Sequence, residues 1–181
     1  MTEYRRSYAA GGTYFFTWVS HQRRPIFIDE SAVNALRNAV RDIRSNAPFD
    51  IDAWVVLPNH IHCVWTLPRG DANYSKRIGQ IKSRFNFYAG SRFNNPEINS
   101  ASRRKKSEST IWQRRFWEHQ IRNDLDFQRH VDYVHFNPVK HGVVKRVAEW
   151  PYSTFHKYCE RGIYARDWAG EGVPDGDGFG E

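Results

Sequence analysis

Two histidines one residue apart, His60 and His62, are the residues whose spacing most directly offers chemistry. They sit in LPNHIHCVW (57–65), just after Pro58-Asn59. Side chains alternate across a strand, so both imidazoles project from one face, opposite Ile61 and Cys63, with Cβ atoms within about 7 Å. Two imidazoles that close can share one divalent cation. The bare pattern fits equally a pair of solvated strand residues or a hydrogen-bonded core histidine. The context favours a site: Val55, Val56 and Leu57 supply apolar surroundings, and the Pro-Asn turn opens the start of the strand.

A second reactive group comes from further along. In Asn123–Asn137, Phe127, Val131 and Val134 recur at helical spacing and form a packing stripe. Tyr133 falls about 120° from that stripe, on a flank with Asp126, His130 and Asn137. Such polar neighbours mark it as more than core filler, and His130 and Asp126 are candidate bases there. Asn137 follows Tyr133 by four residues, so both side chains point to one region. Pro138 predicts the helix end, with Asn137 as its cap. Tyr152, Tyr158 and Tyr164 are rival nucleophiles, but none has a potential ligand one turn away on a clear helix.

His60-Ile61-His62 resembles the HUH motif (His, hydrophobic residue, His) of nucleases that cut single-stranded DNA. The PNHxH form is similar to that of the single-tyrosine transposases. HVDYVHFNPVKHGVV (130–144) resembles the corresponding segment of REP-associated tyrosine transposases, and so does WQRRFWEHQIR (112–122). The likeness runs from GTYFFTWVS (12–20) to WPYSTFHKY (150–158). It implies that Tyr133 is the nucleophile and that Asn137 supplies the third metal ligand beside His60 and His62. It also implies Mg²⁺ or Mn²⁺ as the cofactor, and as substrate a hairpin from a repetitive extragenic palindrome, cut in adjoining single-stranded DNA. Related insertion-sequence transposases are dimers that can exchange the tyrosine helix, whereas the REP-associated branch can act as a monomer; monomer and homodimer both remain open. A non-catalytic hairpin-binding regulator on the same scaffold is the second reading. A replication-initiating HUH nuclease is disfavoured by the Tyr133 context.

The chemistry accounts for these residue types. A phosphodiester is an anion that repels a nucleophile, and a cation can polarise a non-bridging oxygen and orient the group for in-line attack. Tyrosine ordinarily titrates near pH 10, so its proton must leave during attack. The expected product is a phosphotyrosine at the DNA 5′ end with a free 3′-OH. Because the linkage conserves bond energy, a 3′-OH can reverse it and rejoin strands without ATP.

The elements that must position these groups are legible. Gly12–Ser20 reads as a buried strand, Ser31–Arg44 as a helix capped by Asp29 or Ser31, and Asp52–Leu57 and His60–Leu67 as two further strands. A second helix is expected over about 73–88, with Tyr74, Ile78, Ile81 and Phe85 inward, and a fourth strand over Ile111–Trp117. Ser91–Thr110 lacks apolar periodicity and reads as a mobile basic loop. Residues beyond Val144 read as irregular. The order strand–helix–strand–strand–helix–strand predicts an α+β fold: a ferredoxin-like antiparallel sheet with an added C-terminal helix carrying the nucleophile.

The 181 residues suit one domain, expected over 1–165. With 40% apolar and 15% aromatic residues, global disorder is excluded. The two cysteines, Cys63 and Cys159, form neither a zinc nor a disulfide pattern, and together with the lack of a signal peptide or a membrane-length apolar run they predict a reducing, cytoplasmic setting. The formal charge is +7. Arg166 against Asp167, Glu171, Asp175, Asp177 and Glu181 gives the tail 166–181 a charge of −4, so residues 1–165 carry +11. A basic body fits a polyanion partner, although the excess could also serve solubility. Candidate DNA contacts are Lys82 and Arg84, the Arg103-Arg104-Lys105-Lys106 run, and Arg114-Arg115. The acidic, Gly-rich tail could compete with DNA for that surface.

Overall fold

A computed structural model of the chain describes residues 8–170. Four strands, β1 (Thr13–Val19), β2 (Asp50–Val56), β3 (His60–Thr66) and β4 (Trp117–Gln120), form one antiparallel sheet in the order β2-β3-β1-β4. The helices are α1 (Glu30–Asn46), α2 (Tyr74–Ala89), α3 (Ala101–Lys105), α4 (Asp124–Lys140) and α5 (Phe155–Glu160). This is the expected α+β sandwich of sheet and helices.

Strand alternation sorts the side chains into two layers. Tyr14, Phe16, Trp18, Cys63 and Trp65 face α1 and α2, where Leu36, Ile78, Ile81 and Phe85 complete the larger core. Phe15, Val55 and Val64 face the other way and pack with Val131, Tyr133 and Val134 of α4. β1 is buried on both faces, which explains why its sequence is continuously apolar and aromatic instead of alternating. The Asp29 carboxylate caps α1 by accepting from the Ser31 N–H at 2.9 Å.

Several boundaries differ from those read in the sequence. Residues 111–116 do not form the fourth strand. Ile111 and Trp112 plug the core beside Phe27 and Phe85, and Trp112 makes only an isolated bridge to Ser20. Pairing with β1 begins at Trp117, opposite Thr17.

Pro138 does not end α4, which continues to Lys140. A proline in the last turn costs only the bond that its missing N–H would have made to the Val134 carbonyl. The Asn137, Pro138 and Val139 carbonyls accept from His141, Val143 and Gly142 at 3.0, 2.9 and 2.9 Å. Gly142, at φ +64°, makes the left-handed turn that stops the helix. Asn137 is therefore inside the helix, not its cap.

Residues 91–110 are also more ordered than their composition predicts. They contain α3 and a short 3₁₀ turn at Pro96–Ile98, each started by a side-chain cap from Ser100 or Asn95. Beyond Val144, α5 forms, and Phe155, Tyr164 and Trp168 pack around Phe136 and Val139 of α4. Tail residues 171–181 lie outside the described residues.

Candidate active site

His60 and His62 open β3 on the face covered by α4. His60 is 3% exposed and His62 fully buried, with ring centroids 4.8 Å apart and planes nearly perpendicular at 83°. Each Nδ1 is held: that of His60 lies 2.6 Å from Asn59 Oδ1, and that of His62 lies 2.9 Å from Thr17 Oγ1. Anchoring one ring nitrogen sets tautomer and orientation and leaves Nε2 as the atom able to coordinate a cation. Asn59 comes from the Pro-Asn turn and Thr17 from the neighbouring strand, whose register pairs Thr17 with His62. The two partners follow directly from the turn and the sheet.

α4 delivers the other components. The Tyr133 ring lies 5.4 Å from that of His62, at 70°. Of the four tyrosines considered from the sequence, it is the one beside the histidine pair. The Tyr158 hydroxyl donates to the Asp52 carbonyl, the Tyr164 hydroxyl donates to Asp132, and Tyr152 lies beneath Arg37 at the sheet edge. Tyr133 itself is fully buried and belongs to the smaller core, contrary to the expectation of a polar flank. It packs on the sheet with Val55, Leu57 and Val64, Trp150 and Tyr158 pack against the same cluster, and Phe15 from β1 meets the ring edge at 5.9 Å. The Lys140 ammonium donates to the Tyr133 hydroxyl at 3.2 Å and lies 4.7 Å from its ring centroid.

Asn137 is fully buried, and its Oδ1 has no hydrogen-bond partner among the described residues. A buried carbonyl oxygen without a donor is costly unless a cation or water satisfies it. One turn later, His141 brings a third imidazole: its ring centroid is 4.9 Å from that of His60. Ligand nitrogens of His60, His62 and His141 all lie within 4.8 Å of one another. This donor set fits a divalent cation. His141 was missed in the sequence, although its spacing of four from Asn137 was a usable signal.

His130 and Asp126 serve elsewhere. The Asp126 carboxylate bonds His119 Nε2 at 2.9 Å and sits 3.2 Å from His130 Nδ1, and the two imidazoles stack at 4.5 Å. Phe15 separates this group from His62, contacting both His130 and His62. Burial lowers the His130 pKa. The cluster pins the first turn of α4 to β4.

The basic candidates separate by burial. Arg103 is 7% exposed and donates to the Ser109 and Trp112 carbonyls at 2.7 and 3.1 Å, so its role is structural. Arg104, Lys105, Lys106, Arg84, Arg114 and Arg115 are exposed, with Arg84 near Asp42 and Arg114 bound to Glu108. Lys82 donates to the Gln113 carbonyl and lies over Trp112. Among the described residues no helix is long and apolar enough to cross a membrane.

Comparison with known proteins identifies relatives of this chain. Residues 9–137 match the family described as "Transposase IS200 like". The chain is 46% identical over 171 residues to the REP-associated tyrosine transposase of Escherichia coli K12, covering 94% of this chain and 93% of that one. It is 42% identical over 170 residues to a Haemophilus influenzae relative given the same family description, covering 94% of each. The fold matches a solved REP-associated tyrosine transposase bound to a REP hairpin, with a TM-score of 0.82 and 45% identity, over 100% of this chain and 98% of that one. With the family match spanning most of the chain and close relatives spanning nearly all of it, the protein belongs to the IS200-like transposases, on their REP-associated tyrosine transposase branch.

Proposed function

We propose that this transposase nicks and rejoins single-stranded DNA beside REP-type hairpins through a 5′-phosphotyrosine at Tyr133. The observation that carries the reading is the convergence at one end of α4: His60, His62 and His141 within 4.8 Å of one another, and the Tyr133 ring 5.4 Å from His62.

His60 and His62, with Asn137 from α4 and His141 just beyond it, would hold a divalent cation. When bound, that ion would neutralise and orient the scissile phosphate. Three imidazoles make the donor set nitrogen-rich, which suits Mn²⁺ better than Mg²⁺, whose small ion prefers an octahedron of oxygens. Asn59 and Thr17 keep the two strand imidazoles aimed.

Tyr133 Oη attacks phosphorus as the bond from phosphorus to the 3′ oxygen breaks. The phenol proton is lost, and the departing 3′ oxygen ends as a hydroxyl. The strand is left with a tyrosyl 5′-phosphate, and attack by a 3′-OH reverses the exchange with no net change in bond type. Lys140, on the phenol oxygen, stabilises negative charge that develops there during attack. It also covers the ring, so DNA must displace it to reach the hydroxyl.

The test is incubation of an end-labelled hairpin oligonucleotide with protein and Mn²⁺. An SDS-resistant adduct is expected in the wild type and absent with EDTA. Hairpin binding without any adduct would instead support a non-catalytic regulator.

A further inference from the structure

Beyond β2, the edge of the sheet carries a cleft that the histidine site does not use. Residues 150–154 cover the outer side of β2 through the Val55–Ser153 bridge and a 2.9 Å bond from the Val56 N–H to the Tyr152 carbonyl. Between this segment, α5 and α1 opens a cleft of about 540 Å³. α1 runs antiparallel to β2: Arg44 donates to the Phe49 carbonyl at 3.0 Å near the start of the strand, while Arg37 lies 5.6 Å from the Tyr152 ring near its end.

The walls are cationic. Arg37, Arg41 and Arg44 occupy one face of α1 at spacings of four and three and are exposed. Arg37 and Arg41 are steadied by Asn34 and Asn38 at 3.2 and 3.1 Å, not by acids. Lys157 and Arg161 supply the opposite wall. No carboxylate lies within ion-pair distance of any of these five among the described residues. One acid, Asp52, lines the cleft; burial raises its pKa, and its carboxylate accepts from the Thr66 hydroxyl. The floor includes Trp54, half-buried, whose inner face stacks on Trp65 with planes 9° apart.

Cations with no carboxylate partner among the described residues, set along an aromatic floor, match an unpaired polynucleotide whose phosphates meet the arginines and whose bases stack on rings. From Arg37 to Arg44 the helix rises about 10 Å, enough to serve successive phosphates. Its Val56–Tyr152 end lies four residues before His60, across the Pro58-Asn59 turn.

We propose that this cleft, at the sheet edge, holds the single-stranded DNA flanking the hairpin. This rests on the DNA-nicking reading above.

The test measures the affinity of the full-length protein, across salt concentrations, for two labelled oligonucleotides: a REP hairpin alone and the same hairpin with a single-stranded extension. Replacing Arg37, Arg41 and Arg44 together by Gln should weaken binding of the extended oligonucleotide about tenfold. Its salt slope should fall by about 2, because each phosphate neutralised on a single strand contributes about 0.7. Binding of the bare hairpin should stay within twofold. The triple Lys variant retains the charges and should retain the slope, which separates the effect of charge from misfolding, and circular dichroism checks the Gln variant. Unchanged affinity and slope for the extended DNA would overturn the proposal and leave the cleft for an acidic protein partner. If the wild type binds neither oligonucleotide, the DNA-nicking reading fails and the cleft proposal falls with it.

Discussion

The rings of His60, on β3, and His141, just beyond α4, have centroids 4.9 Å apart, although 81 positions separate them in the chain. This contact ties the end of the tyrosine helix to the start of the histidine strand. It makes the cation site a product of two elements, not of the His60–His62 pair alone.

His141→Ala should therefore weaken Mn²⁺ binding tenfold or more, since even partners outside the ligand shell are worth about 10–100-fold in metal affinity. Isothermal titration of the DNA-free protein measures this directly. Unchanged affinity would remove His141 from the ligand set and leave Asn137 as the α4 ligand.

Thr17→Val removes the hydroxyl that fixes His62 Nδ1 while nearly preserving volume. Metal affinity should fall about 10–100-fold with little change in fold. Calorimetry together with a thermal melt distinguishes this outcome from global destabilisation.

Tyr133→Phe should eliminate the SDS-resistant adduct while leaving hairpin affinity within about twofold, because the hydroxyl it removes is buried. Persistent adduct would move the nucleophile elsewhere. The same substitution frees Lys140 from the phenol oxygen, so a modest change in melting temperature is expected.

Arg103 and its neighbours should behave oppositely. Arg103→Ala leaves the Ser109 and Trp112 carbonyls without their charged donor and should cost on the order of 2–4 kcal/mol in denaturant unfolding. Replacing the exposed Lys105 and Lys106 by Gln should leave stability within about 0.5 kcal/mol and reduce the salt dependence of DNA binding.

His135 sets a pH limit on stability. Buried against Phe155, Tyr158 and Tyr164, it shares a 2.9 Å hydrogen bond between its Nε2 and Thr154 Oγ1. Burial lowers its pKa to about 3 from the ordinary histidine value of 6.5. Between those values the unfolded chain binds the extra proton, so stability present above pH 6.5 is lost as pH falls toward 3, by at most about 1.4 kcal/mol per pH unit from this group. Denaturant melts from pH 7 to 4 should show the decline, and a His135→Gln variant should show a shallower one.

Much of this protein is written locally. The alternation of HIHCVWT predicts that His60 and His62 share a face, because the period of a strand is built into its backbone. Likewise the apolar spacing in 31–44 and about 73–88 predicts α1 and α2. The motif around Tyr133 and Asn137 singles out candidate residues for cleavage without any coordinates.

Other features depend on contacts between distant segments, which no local period encodes. Tyr133 is buried because α4 lays it on the sheet among Phe15, Val55 and Val64. Ile111 and Trp112 leave the sheet because the core between Phe27 and Phe85 accepts them. Pro138 remains helical because the following turn satisfies the carbonyls around it. Arg103 is drawn inside by two carbonyls that the sequence gives no reason to place there, and His141 becomes a candidate ligand only when the end of α4 lands beside β3. Local periodicity chose the elements and the reactive residue types; long-range packing decided which of those residues meet.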